Sequence, residues 1–238
     1  METRNSVNTS TADNDHINIS VEFLGVGSSS QIDLGHAAIV ISTPNKSLLV
    51  DCGPGTLKTY GAHIENTLGE KGQPSSLEVL DKHAPTTALP DAIFVTHCHL
   101  DHIGDFENIF IKSWFSRPGG PKPKLFVPVS IVPLLHQRVA GYPSVLAEGG
   151  VNFWEAFQLI PVGDTFVFDN ITWHVIPVRH HAPQSAFGLH LPGAFFYTGD
   201  TRPIPEIIAY TLTRDETIFH DCGVLGNPSH TGIDDALR

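Results

Sequence analysis

The stretch that most constrains this chain is residues 96–102, Thr-His-Cys-His-Leu-Asp-His. Ahead of it, Ala92, Ile93, Phe94 and Val95 form a short apolar run that reads as a buried strand. Behind it, after Ile103-Gly104-Asp105, Phe106, Ile109 and Phe110 fall at helical spacing. Three imidazoles and a carboxylate are thus confined to one loop where a strand gives way to a helix. Neutral imidazole and carboxylate are the donors that divalent ions such as Zn²⁺ favour. His97 and His99 fall to one side and Asp101 with His102 to the other, a division suited to two ions held close together. Cys98, between two candidate ligands, should point away from them and pack against the core.

His-x-His-x-Asp-His behind a hydrophobic strand resembles the signature of the metallo-β-lactamase superfamily. The resemblance implies an α/β chain folded as an αββα four-layer sandwich, with a one- or two-metal hydrolase site. It extends to other stretches. Asp51-Cys52-Gly53-Pro54-Gly55-Thr56 is similar to the Asp-x-Gly-x-Gly-Thr turn of the tRNase Z-like branch, whose Asp buttresses the metal loop. Phe219-His220-Asp221-Cys222 resembles that branch's His-Glu motif, with Asp where Glu is usual. With Gly25-Val26-Gly27-Ser28 and Tyr197-Thr198-Gly199-Asp200-Thr201-Arg202, the likeness spans residues 18–235.

Carried over residue by residue, the resemblance implies that His97, His99 and His181 hold one ion. Asp101, His102 and His230 would hold a second, with Asp200 bridging both. His180 is the alternative to His181, which is preferred because Ser185 and Gly188 follow at nearly the family's spacing. Two divalent ions are implied, Zn²⁺ ahead of Mn or Fe. Two residues carry the chemistry in this reading. Asp101 orients the attacking water or takes its proton. His220 contacts the scissile phosphate and protonates the leaving oxygen. Asp221 in place of Glu weakens that last role, and a structural His220 at a strand end remains open.

Within the branch, tRNase Z enzymes carry a long flexible arm between the third His and the bridging Asp. Here 18 residues separate His181 from Asp200, too few for such an arm. The chain has 14 Lys and Arg against 25 Asp and Glu, a net charge of −11. That balance weighs against a long nucleic acid, which leans on many basic contacts to phosphate. The expected substrates are small phosphodiesters, above all cyclic nucleotides, as in the anti-Pycsar and cyclic-phosphate phosphodiesterases of this fold. The competing readings are a lactonase or glyoxalase II-like thioesterase on the same scaffold, a tRNase Z-type endoribonuclease without the arm, and a non-catalytic binder that has kept the metals. A homodimer is implied by the resemblance alone.

Residues 1–16 read as a mobile polar tail and 17–238 as one metallo-hydrolase domain. Strands are expected at 17–24, 37–42, 47–50, 92–95 and 125–127. Those at 157–161, 165–168 and 171–177 are expected in the second sheet, followed by 186–191, 194–198 and a final buried strand at 217–220. Helices are expected at 56–68, 106–115, 130–139 and 204–212, and an exposed insertion at 69–90. The apolar, aromatic stretch 144–157 reads as core rather than as a site entrance or dimer face. His16, His36, His63, His83, His136, His174 and His190 read as surface or capping residues. Cys52, Cys98 and Cys222 are odd in number and widely spaced, so no disulfide framework is implied. With no apolar run of membrane length and no apolar core of a secretion signal, a reducing cytoplasm is the expected location. The chain stops a few residues into the helix that Ile233 opens, where relatives continue through that helix and another strand. Either this member is short or the sequence is truncated.

Overall fold

Two sheets account for the strands. A computed structural model describes residues 18–70, 88–116, 119–141, 151–212 and 215–236. The expected tail, most of the expected insertion and residues 144–150 lie outside the described residues. In the first sheet, β1 (Ser20–Gly25), β2 (Ala38–Ser42), β3 (Ser47–Val50), β4 (Ala92–Phe94), β5 (Lys124–Pro128) and β6 (Gln158–Val162) lie side by side in chain order. β1, β2 and β3 pair antiparallel, and β3 to β6 run parallel. Parallel neighbours need crossovers. α1 (Thr56–Glu70), then α2 (Leu100–Ile103) with α3 (Phe106–Ile111), then α4 (Val132–Leu135) supply them. Strands covered on both faces need no alternation, and the unbroken apolar runs of β3 and β4 are almost wholly buried.

The second sheet has the order β11-β10-β9-β8-β7, formed by β7 (Thr165–Phe168), β8 (Ile171–Pro177), β9 (Phe187–Leu191), β10 (Phe195–Tyr197) and β11 (Thr217–Phe219). β7 to β10 are antiparallel. β11 returns parallel to β10 after α5 (Pro205–Thr211), and α6 (Ile233–Ala236) follows. Phe166 of β7 stacks on Phe94 and Phe126 of the first sheet, with ring centroids 5.7 and 4.2 Å apart. These rings fill the space between the sheets. Ile207 and Ile208 of α5 pack with Val178, Ala186, Phe196 and Ile204 on the far side of the second sheet. Tyr60 of α1 and Phe106, Ile109 and Phe110 of α3 join the main core. The layers are helix, sheet, sheet, helix.

Three expectations are corrected. β6 belongs to the first sheet, parallel to β5. Gly163-Asp164 looks like a hairpin turn, but the chain changes sheet there. Half-buried strands of similar pattern suit either sheet, so local sequence does not separate the two outcomes. β11 is a half-exposed edge strand rather than a buried one, with Ile218 39% exposed. His36 and His190 are buried instead of lying at the surface. His190 is tolerated there because its Nε2 meets Glu216 Oε2 at 3.1 Å. His16 and His83 fall outside the described residues. All three cysteines are unpaired. Among the described residues, no helix is long and apolar enough to cross a membrane.

Candidate metal centre

The loops at the ends of β3, β4, β8, β10 and β11 meet at one edge of the sandwich. Behind β3, Asp51 takes a left-handed conformation, φ 62°, which Asp adopts more readily than most side chains. Fully buried, it accepts hydrogen bonds from Thr96 N at 2.8 Å and Thr96 Oγ1 at 2.6 Å. It also meets His102 Nδ1 at 2.7 Å. Cys52 N donates to the His102 carbonyl at 2.7 Å, and Asp105 N to the Cys52 carbonyl at 3.0 Å. The 51–53 turn is thereby laced to the 96–105 loop. Cys98 turns into the core, where burial pushes its thiol up to about 12.

The nitrogen that each imidazole turns outward decides which one it turns inward. The single hydroxyl proton of Thr96 goes to Asp51, so His97 Nδ1 donates to Thr96 Oγ1 at 3.0 Å. His102 Nδ1 is held by Asp51. His180 Nδ1 donates to the Ser229 carbonyl at 2.9 Å, and His230 Nδ1 meets Asp221 Oδ2 at 2.8 Å. In all four Nδ1 is taken up by an outer partner, so Nε2 is the nitrogen left to face the site, as a lone pair in His97 and His180, the arrangement that outer partners impose on ligating histidines. His97 Nε2 and His180 Nε2 lie 3.1 and 3.2 Å from His99 Nδ1. At most one hydrogen is shared among these three nitrogens. Lone pairs converge like this comfortably only around a cation.

Asp200 stands at the middle. Its Oδ2 is 3.4 Å from His102 Nε2, 3.8 Å from the Nε2 atoms of His97 and His180, and 3.9 Å from His230 Nδ1. One ligand atom from each of His97, His99, His180 and Asp200 lies within 4.8 Å of the others, and the same holds for Asp200, Asp221 and His230. Burial lowers the pKa of His97, His99 and His180, with neighbouring histidines adding to it. They stay neutral and ready to donate electron pairs. Burial acts the same way on His102, but the carboxylates of Asp51 and Asp200 flanking it win and raise its pKa. Burial would raise Asp200, yet the surrounding imidazoles hold its carboxyl well below the usual range. This is a donor set that divalent ions fit, in number, chemistry and tautomer.

The model of the family described as Anti-Pycsar protein Apyc1 matches residues 19–238. The chain belongs to the Apyc1 family. An Apyc1 protein of Bacillus phage BSP38 is 27% identical over 239 residues, covering 92% of this chain and 82% of its own. Two solved structures share the fold. A diphosphatase of the PhnP family superposes with a TM-score of 0.63 at 18% identity, over 92% of this chain and 80% of the other. The metallo-β-lactamase fold protein YhfI from Bacillus subtilis gives 0.62 at 15%, over 90% and 78%. This Apyc1-family chain therefore has the metallo-β-lactamase fold, the α/β four-layer sandwich implied by its sequence motifs.

Of the residues singled out in the sequence, the fold brings His97, His99, Asp101, His102, Asp200 and His230 to this one place. Asp101 is half-buried, its Oδ2 3.8 Å from His102 Nε2. The third imidazole, whose ring nitrogen approaches that of His99 and the carboxylate of Asp200, is His180, where the resemblance favours His181. His180 is 3% exposed and reaches His99 and Asp200. His181 is exposed and its Nδ1 reaches only Ser229 Oγ, at 3.4 Å. The two rings lie side by side, centroids 4.1 Å apart, and both stand against His99; burial and the reach of Nε2 separate them, and the spacing to Ser185 and Gly188 does not. In the sequence Asp221 stands out only as a departure from the His-Glu motif. Here it accepts from Thr201 N at 3.0 Å and holds His230. Its place directly after His220 was the available signal.

Proposed function

We propose that this Apyc1-family chain is a dinuclear metal-dependent phosphodiesterase that hydrolyses small cyclic nucleotide phosphodiesters. His97, His99 and His180 would hold one ion and Asp101, His102 and His230 the second, with Asp200 shared and Zn²⁺ the expected metal. The observation that carries this reading is the set of imidazoles pinned by their outer nitrogens around one carboxylate. Bound there, the ions would supply Lewis acidity that acidifies water and draws off charge building on phosphate oxygens. The rest falls to the chain. Asp101, its Oδ2 3.8 Å from His102 Nε2, orients the attacking water and takes its proton. His220 has Nδ1 2.7 Å from the Asp221 carbonyl, so Nε2 is the atom left to serve the leaving oxygen. One P–O ester bond breaks and the water oxygen joins phosphorus. Asp101 takes one proton from the water, and His220, entering with Nε2 also protonated, gives one to the freed oxygen, so that the net transfer is of the water's proton to the new hydroxyl.

The endoribonuclease reading is less favoured, because a chain of net charge −11 would have to grip RNA without an arm. Residues 182–199 are taken up by the turn after His181, β9, β10 and the tight turn joining them. A panel of bis(p-nitrophenyl) phosphate, 3′,5′-cyclic nucleotides, acyl lactones and glutathione thioesters tests the proposal on metal-loaded protein. Turnover of the phosphodiesters is expected, and turnover of only the lactones or thioesters would overturn it. Asp200→Ala should abolish activity, and His220→Ala should lower kcat by about 10²- to 10⁴-fold. Wild-type rates from both variants would exclude them from the machinery. Mass spectrometry of the purified protein should find two metal equivalents per chain.

A further inference from the structure

One cavity opens onto the metal centre. It holds about 300 Å³ and is lined by Phe23, Val26, Ala37, Tyr197 and Phe219 on its apolar side, and by Asp200, His220 and Asp221 where it joins the site. It lies where the edge strands of the two sheets, β1 and β11, come together. Phe23 and Phe219 meet there edge to face, centroids 5.2 Å apart at 73°. We infer that this cavity between Phe23, Val26 and Phe219 receives the uncharged nucleoside part of the substrate, with the base against the Phe23 ring. The inference rests on the phosphodiesterase reading and adds where the organic group goes.

Three observations point to that occupant. Asp200, His220 and Asp221 belong both to the cavity wall and to the catalytic cluster, so a phosphate at the centre has its ester group next to the opening. No Lys or Arg is among the lining residues, while two carboxylates are. With no cation in the wall outside the metal centre, nothing there would hold a second anionic group, while the Phe23 and Phe219 rings offer a neutral, flat one a surface. The volume is at the bottom of the roughly 300–1,000 Å³ range of small-molecule sites, which suits a single nucleoside. Phe23 is 37% exposed and Val26 62%. These are large apolar surfaces left open beside a polar centre, and an aromatic face is what a base of any identity stacks on.

Phe23→Ala removes the platform, and Val26→Trp fills the mouth from an exposed position where the fold does not depend on the side chain. Binding of a phosphorothioate 3′,5′-cyclic nucleotide by calorimetry, alongside steady-state kinetics on the cyclic nucleotide, reads both. Each variant should raise Kd and KM about tenfold, the scale of one base–aromatic stack, with a much smaller change in kcat. Thermal melting identifies a variant that has failed to fold, and Val26→Trp then stands alone. Unchanged Kd and KM in folded variants of a wild type that binds and turns over cyclic nucleotides would overturn this inference and leave the phosphodiesterase reading intact. A wild type that neither binds nor hydrolyses them would overturn both.

Discussion

At the scale of single residues, the centre depends on which ring nitrogen each histidine offers, and that is decided by its outer neighbour. The difference between His180 and His181 is the sharpest case. His180→Ala removes a donor whose Nε2 faces His99 and Asp200, and metal affinity should fall about 100-fold or more. His181→Ala, at an exposed ring, should leave metal content near wild type. Metal retained after dialysis, measured by mass spectrometry, separates the two; equal loss in both would contradict the assignment of His180. Asp51 touches no substrate in this arrangement, yet it holds His102 and, through Thr96, the Nδ1 of His97. Asp51→Asn replaces an acceptor oxygen by a donor amide and should weaken metal binding about 10- to 100-fold.

At the scale of elements, two turns are pressed together so closely that one has no room for a side chain. A Cβ on Gly53 would sit 1.8 Å from the Asp101 carbonyl oxygen and 2.7 Å from His36 Cβ. The backbone of the metal loop, not a flexible side-chain tip, would have to move. Gly53→Ala should cost about 1–3 kcal/mol of stability and displace Asp101 and His102 along with the loop. Gly55 is a control two residues on. It has nothing within 4 Å but a φ of +85°, so Gly55→Ala strains only its own backbone, by about 1 kcal/mol. Thermal melting should show both losses, whereas metal titration should show a weakened site in Gly53→Ala alone. Equal metal affinity in the two would mean that the packing of turn on loop does not set the site.

At the scale of the whole molecule, the cluster should make folding depend on pH and on metal. Burial lowers the pKa of His97, His99 and His180 from their ordinary 6.5. Below 6.5 the unfolded chain binds protons that the folded one refuses, so metal-free stability should fall as pH drops through that value. His102, raised, is protonated in both states there and adds no slope of its own. Denaturant melts of the metal-free protein between pH 6.5 and 5 read the slope, since above 6.5 the raised His102 works the other way; stability rising toward acid within that window would contradict it. Added Zn²⁺ at about 100 times its Kd should contribute about 2.7 kcal/mol. That gain should shrink toward acid, because protons and metal compete for the same lone pairs.

Much of this molecule was legible in the chain itself. Residues 96–102 put four donors within seven positions, so their nearness is local, although the 51–53 turn fixes how they are aimed. The apolar run 92–95 and the alternation in 171–177 likewise fix strands by their own pattern. What local pattern left open was settled by packing. Whether 158–162 pairs with β5 or with β7 depends on which sheet has an open edge. Whether His180 or His181 faces inward depends on how β8 ends against the loop carrying Ser229. Asp221 gains its role only because His230 arrives beside it, nine positions later. A ligand set gathered from separate strands exists only once both sheets are formed and face each other, since the distances that make it a site are distances between elements, and a one-dimensional pattern does not carry them.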